Sequence, residues 1–421
     1  MRIVIASDIY YPMTNGVAVF AHNLALGLAR RGHEVLVFSP SFNGKRYDDN
    51  SELKNLTTAY LTSLRFPFYP DQINEVPDKK NLLGVEIPRL AYKHGIWASI
   101  NPYLEIRQKL EEFQPDVIHL QTAETIALAI VTYARRHNIP LVSTSHAYPD
   151  NITGQFKFLK PVKRPVDTVL RAYMNSFLKH SEYATMPTEM AIEDLIPKNR
   201  KRFQVTVEPL SNGVDLSQFY PKKVNPKIFA KYDLDPKRPR IVNVGRVDPE
   251  KSIDVLIKAF AEVVKKLPEA ELLIIGDGIA RAKLEEQVVR QELSKNIKFL
   301  GRIMPPDLNE LYRTGNLFAT ASETETQGIV LIEAAATGLP LVAVDAGAVK
   351  EVCQTGKNGI LCQPKDTNGI ATAMIKILRD GELQKKYSEG SINIAKKHDI
   401  NYTLSRFEEI YGIAIQKNSQ K

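Results

Sequence analysis

Short apolar, β-branched runs alternate with amphipathic stretches along almost the whole 421-residue chain, and this alternation restricts the fold more than any other feature. RIVIAS (2–7), EVLVFS (34–39), DVIHL (116–120) and PLVSTS (140–145) come first. RIVNVG (240–245), ELLIIG (271–276), IKFLG (297–301), LFATAS (317–322) and PLVAVD (340–345) follow. Between them lie helical patterns such as VAVFAHNLALGLARRGHEV and IDVLIKAFAEVVKKLPEAE. A strand that is apolar throughout needs cover on both faces, and intervening helices supply it, so the pattern predicts parallel sheets built from βαβ units. The set occurs twice, with the basic, polar stretch IPKNRKRFQ (196–204) between the two copies. A chain of 421 residues is also too long for one ordinary core. The expectation is an α/β protein of two doubly wound domains, 1–196 and 197–402, with a hinge near 196–212 and a last helical segment, 403–421, returning to the first domain. Ligands of such sheets bind beyond the carboxyl ends of the strands, so two facing domains imply a cleft.

The composition, 43% hydrophobic and 25% charged with no low-complexity tract, is that of a folded soluble enzyme rather than a disordered chain. The net charge of +8 admits an anionic partner (nucleic acid, a membrane surface or a phosphorylated substrate) without choosing among them. Two cysteines, Cys353 and Cys362, are too few for a disulfide framework and fit a reducing cytosol. The opening MRIVIASDIYYP is stopped at Asp8 and is shorter than a signal peptide needs. The longest uncharged apolar stretch, around 125–134, is about half of a bilayer crossing, so any membrane contact is peripheral.

Candidate chemistry gathers where strands end. In YPMTNGV (11–17), Asn15-Gly16 suits a tight turn of positive φ, and Gly16 lets backbone N–H groups approach an anion. In GRVDPEK (245–251), Arg246 follows a strand and Lys251 opens a helix: a fork and a point charge suited to a diphosphate, or else a solvated loop with an Arg–Glu pair. In ETETQGIVLIEAA (323–335), Glu325 lies on a loop and Glu333 inside an apolar helix. Were 325–333 all helical, the two would stand ~12 Å apart along the axis, beyond the roughly 5–10 Å that two carboxylates hydrolysing one glycosidic bond require. The spacing suits two ends of an extended ligand. The N–H groups of Gly328, Ile329 and Val330, at a helix N-terminus, would meet a phosphate between them. The order hydroxyl, phosphate, hydroxyl describes a nucleotide-sugar.

His146 follows PLVSTS, placed as a hydrogen-bond donor or base, and His119 ends DVIHL; His22 and His33 read as structural. FKFLKPVKRPVDTVLRAYMNSFLKH (156–180) has one acid and aromatics at helical spacing. Its Lys157, Lys160, Lys163, Arg164, Arg171, Tyr173 and Phe177 suit an anionic membrane, and equally an amphipathic helix with a solvated basic face. LRFPFYPDQ (64–72) adds aromatics for an acceptor channel. Asp233-Leu234-Asp235 spells a metal-type motif but precedes a strand, so no metal is assigned; Walker A, Ser-His-Asp and dinucleotide signatures are absent.

Taken together, TNGV (14–17), SH (145–146), SNGVD (211–215), GRVDPEK (245–251), GDG (276–278), LGRI (300–303) and the E-x7-E pair Glu325/Glu333 resemble the retaining glycosyltransferase family 4 over nearly the whole chain. The resemblance implies the GT-B fold: two facing Rossmann-like domains, the first for acceptor and the second for nucleotide-sugar. It implies that Arg246 and Lys251 hold the donor diphosphate with help from backbone at Gly16. Glu325 then contacts sugar hydroxyls, Glu333 the ribose, backbone at Arg302 and Ile303 the base, and His146 the transferring sugar. Anomeric configuration is retained, the donor phosphate takes the acceptor proton, and no metal or other cofactor is needed. The chain departs from many members at Asn15 (commonly Gly) and Ala147 (commonly Thr). TETQG (324–328), with Gln327 where other branches more often carry Phe, resembles the 1,2-diacylglycerol 3-glucosyltransferase branch. That branch implies UDP-glucose, a lipid acceptor and an anionic membrane surface, no nucleic acid, and a peripheral place on the cytoplasmic face of the cell membrane. The alternative is another acceptor (phosphatidylinositol, polysaccharide or a soluble glycoside) with a UDP- or GDP-sugar.

Overall fold

The structure, a computed structural model, describes residues 1–11, 13, 15–70, 94–146, 163–196, 203 and 205–420. It consists of two compact units: Met1–Leu210 with Thr403–Lys421, and Ser211–Tyr402.

The strands of the first unit are β1 (Arg2–Ala6), β2 (Glu34–Pro40), β3 (Tyr47–Asp49), β4 (Leu56–Leu61), β5 (Ser63–Pro70), β6 (His94–Ser99), β7 (Val117–Leu120), β8 (Leu141–Thr144), β9 (Tyr183–Met186) and β10 (Thr206–Pro209). Eight of them form one sheet in the order β10-β9-β8-β7-β1-β2-β4-β3, parallel except for β3 against β4, while β5 and β6 make a separate antiparallel ribbon. The order reverses between β1 and β7, which opens a crevice at their carboxyl ends. β1 is fully buried from Ile3 to Ile5, as its continuous apolar run requires. The unit extends to Leu210 rather than ending near 196, because β10 pairs in register with β9 (Thr206 opposite Tyr183). β10 is half-exposed and polar, so its sequence carries no strand pattern.

The helix Ile400–Ser419 crosses into the first unit at Thr403 and packs Phe407, Ile410, Tyr411 and Ala414 out of solvent. Its polar residues anchor it at separate points. Arg406 donates to both carboxylate oxygens of Glu208 (2.7 and 2.8 Å), Glu408 pairs with Arg31 and His33, and Tyr411 Oη meets His119 Nδ1 at 2.8 Å.

The second unit holds one six-stranded parallel sheet, ordered β13-β12-β11-β14-β15-β16. Its strands are β11 (Arg240–Val244), β12 (Glu271–Ile275), β13 (Ile297–Gly301), β14 (Leu317–Ala319), β15 (Leu341–Val344) and β16 (Gly359–Cys362). The reversal lies between β11 and β14, so the loops that leave these two strands share the crevice of this sheet. The GDG segment shapes one of its walls. A Cβ on Gly276 would lie 1.8 Å from the Gly245 carbonyl oxygen, and one on Gly278 2.4 Å from that of Val247. The loop after β12 therefore lies directly on the loop after β11, joined by the Val247 N–H to Asp277 carbonyl bond (3.0 Å).

Gly276 also holds φ +143°, so Gly276→Ala meets both backbone strain and a collision with backbone that has no side chain to move aside. The substitution is expected to lower unfolding free energy by about 3 kcal/mol, measured as a lower urea midpoint at unchanged m-value; an unchanged midpoint refutes this close packing.

Candidate functional site

The loop after β11 presents its cations against carboxylates. Arg246 directs one guanidinium nitrogen to Asp248 and another to Glu250, so the Arg–Glu pair exists and keeps partial contact with solvent (29% and 23% exposed). Asp248 is 3% exposed, and its other oxygen accepts the Ile279 N–H at 3.0 Å, which joins this loop to the one after β12. Burial pushes the Asp248 carboxyl above its ordinary pKa, against the opposing pull of Arg246. Pro249–Lys251 forms a single 3-10 turn, and the long helix begins only at Ile253. Lys251 thus precedes the helix rather than opening it. Its Nζ donates to Glu325 Oε1 at 2.7 Å.

Glu325 belongs to the loop after β14, and two other segments fix it. Lys251 holds the carboxylate, and Ala348 N–H donates to the Glu325 carbonyl at 3.0 Å. Gly347 packs so closely that a Cβ there would lie 2.7 Å from the same oxygen. Burial raises the Glu325 carboxyl, but the charge and hydrogen bond of Lys251, joined by Ser322 and Arg246, outweigh it and hold the pKa below the ordinary value. The helix Ile329–Ala336 starts after Gly328 at φ +75°, so the first-turn N–H groups of Gly328, Ile329 and Val330 stand where no helical carbonyl precedes them. One turn further, Glu333 Oε2 accepts the hydroxyl of fully buried Tyr312 at 2.8 Å. Burial pushes Glu333 up to about 7, with the Tyr312 hydrogen bond acting the other way. Arg302 and Ile303 follow β13 at the same carboxyl edge of the sheet, with Ile303 packed on the core and burial lowering the pKa of Arg302. Arg246, Lys251, Glu325, Gly328–Val330 and Glu333 therefore border one strand-order reversal.

Some sequence expectations take a different form. Gln327, given above only as a mark of the branch, is 2% exposed; its amide donates to Ser211 Oγ (2.6 Å) and accepts the Asn212 N–H (3.2 Å), so its side chain braces its own unit. Asp233 pairs with Lys298 ahead of β11, on the opposite edge of the sheet from Arg246. Asn15 is an extended N-cap (φ −84°) rather than half of a positive-φ turn: its side chain accepts the Ala18 N–H at 2.9 Å, and Gly16 begins the helix Gly16–Arg30.

In the first unit His146 follows β8, buried against Phe20 with ring centroids 5.0 Å apart. Burial lowers its pKa to about 3, so it is a neutral hydrogen-bonding group near pH 7 and a poor base. Lys157, Lys160 and Ala147 lie outside the described residues. In the helix Lys163–Leu178, Lys163 pairs with Asp167, Arg171 with Asp194, and Arg164 is exposed. Tyr173 is exposed with its hydroxyl on the Ala123 carbonyl (2.6 Å). Phe177, 5% exposed, belongs to the core and is not available to a membrane; Val169, 68% exposed, is the apolar side chain that is. Among the described residues, no helix is long and apolar enough to cross a membrane. Tyr312 completes the site without a sequence signal of its own, because it acts through a contact that only the fold creates, whereas Asp248 and Glu250 stand inside GRVDPEK beside Arg246.

Comparison with known proteins places this geometry. The model for glycosyl transferases group 1 matches residues 224–393, and that for Glycosyltransferase Family 4 matches 14–218. The chain belongs to glycosyltransferase family 4. It is similar to the alpha-monoglucosyldiacylglycerol synthase of Acholeplasma laidlawii (26% identical, covering 100% of this chain and 99% of that protein). It is also similar to the protein of that name from Streptococcus pneumoniae (26%, 82% and 71%). Among solved structures it resembles the sucrose-phosphate synthase of Thermosynechococcus elongatus (TM-score 0.75, 18% identity, covering 97% of this chain and 98% of that one). It likewise resembles Anabaena HepE in complex with UDP-glucose (0.69, 17%, 97% and 99%). This family 4 hexosyltransferase has the GT-B fold, with its two Rossmann-like halves.

The Glu333–Tyr312 contact sets a pH dependence for this glycosyltransferase. Ionised Glu333 is a stronger acceptor than the neutral acid, and the reading that gives it the ribose predicts that UDP binding weakens as pH falls through about 7. Tyr312→Phe removes the hydrogen bond that lowers this pKa, so the weakening should move up by about one pH unit. Calorimetric titration of UDP across neutral pH reads both curves, and superimposable curves contradict the assignment.

Proposed function

We propose that the chain transfers a hexose, glucose from UDP-glucose, onto the free hydroxyl of 1,2-diacylglycerol with retention of configuration, working peripherally on the cytoplasmic face of the cell membrane. The observation that carries the reading is the convergence of Arg246, Lys251, Glu325 and the helix N-terminus at Gly328 on the β11/β14 reversal. An anionic diphosphate suits that place: a guanidinium fork, an ammonium and first-turn N–H groups supply charge and donors together. In this reading Glu325 accepts from the sugar hydroxyls and Glu333 from the ribose, while backbone at Arg302 and Ile303 meets the base.

The transfer breaks the bond between the sugar C1 and the phosphate oxygen and forms one between C1 and the acceptor oxygen on the same face. The acceptor proton passes to the departing phosphate oxygen, and UDP leaves. Arg246 and Lys251 stabilise the charge that develops on the diphosphate, the largest electrostatic demand of such a step. In the first unit the reading gives the Gly16 N–H an anion and His146 a sugar hydroxyl.

With Gln327 committed to its own unit, the lipid acceptor is supported by the full-length likeness to a monoglucosyldiacylglycerol synthase and by the outer face of the helix Lys163–Leu178. Val169 stands on that exposed side, with Arg164 and Tyr173 on its opposite flanks, and the three suit an anionic, apolar surface.

A panel of UDP- and GDP-sugars, tested with diacylglycerol in anionic and in neutral vesicles and with soluble acceptors, checks the reading. Monoglucosyldiacylglycerol is expected from UDP-glucose, faster on anionic vesicles and slowed several-fold by raising salt from about 0.05 to 0.5 M. Turnover confined to water-soluble acceptors, or to GDP-sugars, overturns it.

A further inference from the structure

We propose that Gln327 is a positioning residue: through Ser211 and His398 it ties the loop 325–328 to the two segments by which the chain enters and leaves the second unit. Those segments are laced together beside the unit boundaries. Val214 donates its N–H to the His398 carbonyl at 2.7 Å, and Ile400 donates to the Val214 carbonyl at 3.1 Å. Gln327 joins this lacing from the loop. Its Oε1 accepts the Asn212 backbone N–H at 3.2 Å, and its Nε2 donates to Ser211 Oγ at 2.6 Å. A backbone N–H only donates, so Asn212 fixes which way the amide faces.

The Ser211 hydroxyl then has one arrangement. It accepts from Gln327 Nε2 and from the Gly213 N–H (3.1 Å), which uses both lone pairs, so its proton goes to His398 Nδ1, 2.9 Å away. His398 is therefore an acceptor at Nδ1 and carries its own proton on Nε2. Burial and the adjacent charge of Lys397 lower its pKa to about 4, which keeps the imidazole neutral near pH 7. The contacts run with a single polarity, from amide to hydroxyl to imidazole.

This relay bears on the loop because of where Gln327 stands in it. Lys251 and Ala348 secure the loop at Glu325, by its carboxylate and its carbonyl. Gln327, 2% exposed, secures it beside Gly328. The loop between is one tight turn: Gly328 has φ +75°, and a Cβ on it would lie 3.8 Å from that of Glu325. A shift at residue 327 therefore reaches the Glu325 carboxylate. The functional half of the proposal rests on the reading above that gives Glu325 the sugar; the hydrogen-bond relay itself does not.

Nitrogen-15 spectra of the imidazoles in the full chain test the relay without any substrate, from about pH 5 to 9. Wild-type His398 is expected as one neutral tautomer, protonated at Nε2. Gln327→Glu reverses the polarity once the new carboxyl ionises. A carboxylate only accepts, so Ser211 turns its proton towards it and His398 donates from Nδ1. A change of His398 tautomer across this range is thus expected in Gln327→Glu and not in wild type. Transfer assays and UDP titrations test the positioning. Gln327→Leu should lower kcat about 10- to 100-fold, with UDP affinity within about threefold of wild type because Arg246 and Lys251 still hold the diphosphate. Ser211→Ala, which keeps the buried glutamine, should lower kcat in the same direction, and it decides the question if Gln327→Leu does not fold. An identical His398 tautomer in wild type and Gln327→Glu throughout, wild-type turnover in the folded variants, or equal losses of kcat and UDP affinity overturns the proposal. If wild type turns over no nucleotide-sugar, the proposed function fails while the spectra still decide the relay.

Discussion

The ion pair between Lys251 and Glu325, 2.7 Å long and largely withdrawn from solvent, is the contact on which the second unit's site depends. Each partner comes from a different motif, and each motif hangs from a different strand. The two meet because β11 and β14 are neighbours across the reversal of strand order, although they are far apart in sequence. Breaking a buried pair by removing one partner costs about 3–5 kcal/mol, because it leaves a charge without compensation. A ligand that takes over one partner must therefore replace what it removes. A diphosphate does so for Lys251, and the hydroxyls of an attached sugar do so for Glu325.

The same logic extends along the crevice. Arg246 is presented by two acids, Asp248 and Glu250, which orient the fork at the cost of moderating its charge. Glu333 is oriented by a buried tyrosine rather than by a cation, and so it titrates near neutrality while Glu325 stays ionised. Two carboxylates from one short segment thus acquire different electrostatic characters from their neighbours alone. In the first unit the polar pair is uncharged: neutral His146 and Gln121, at the ends of neighbouring strands, meet at 2.7 Å.

Periodicity made the two sheets readable, because strands buried on both faces must be apolar throughout, and the ends of those strands marked Arg246, Glu325 and His146. The strands Tyr47–Asp49, Leu56–Leu61 and Thr206–Pro209 did not stand out, since they are short, threonine-bearing or half-exposed and alternate with nothing. Contacts between distant segments were illegible for a different reason. Tyr312 reaches Glu333, and Gln327 reaches Ser211, through tertiary neighbours that no local pattern encodes. Gln327 is legible in the sequence only as the mark of a family branch, and its hydrogen bonds to Ser211 and Asn212 show that the side chain works within the scaffold. Phe177 shows the same for a helical face, where spacing gave amphipathicity but not which aromatic points inward.

The central claim is that Lys251 serves the phosphates and Glu325 serves the sugar. Calorimetric titration of UDP, which lacks the sugar, into Lys251→Met and Glu325→Gln separates the two most directly. Lys251→Met should weaken UDP binding by about 10-fold or more. Glu325→Gln should bind UDP within about threefold of wild type, or more tightly because Lys251 is released, while hexose transfer falls by about 100-fold. If Glu325→Gln weakens UDP as much as Lys251→Met does, the division of labour assigned to the pair is wrong.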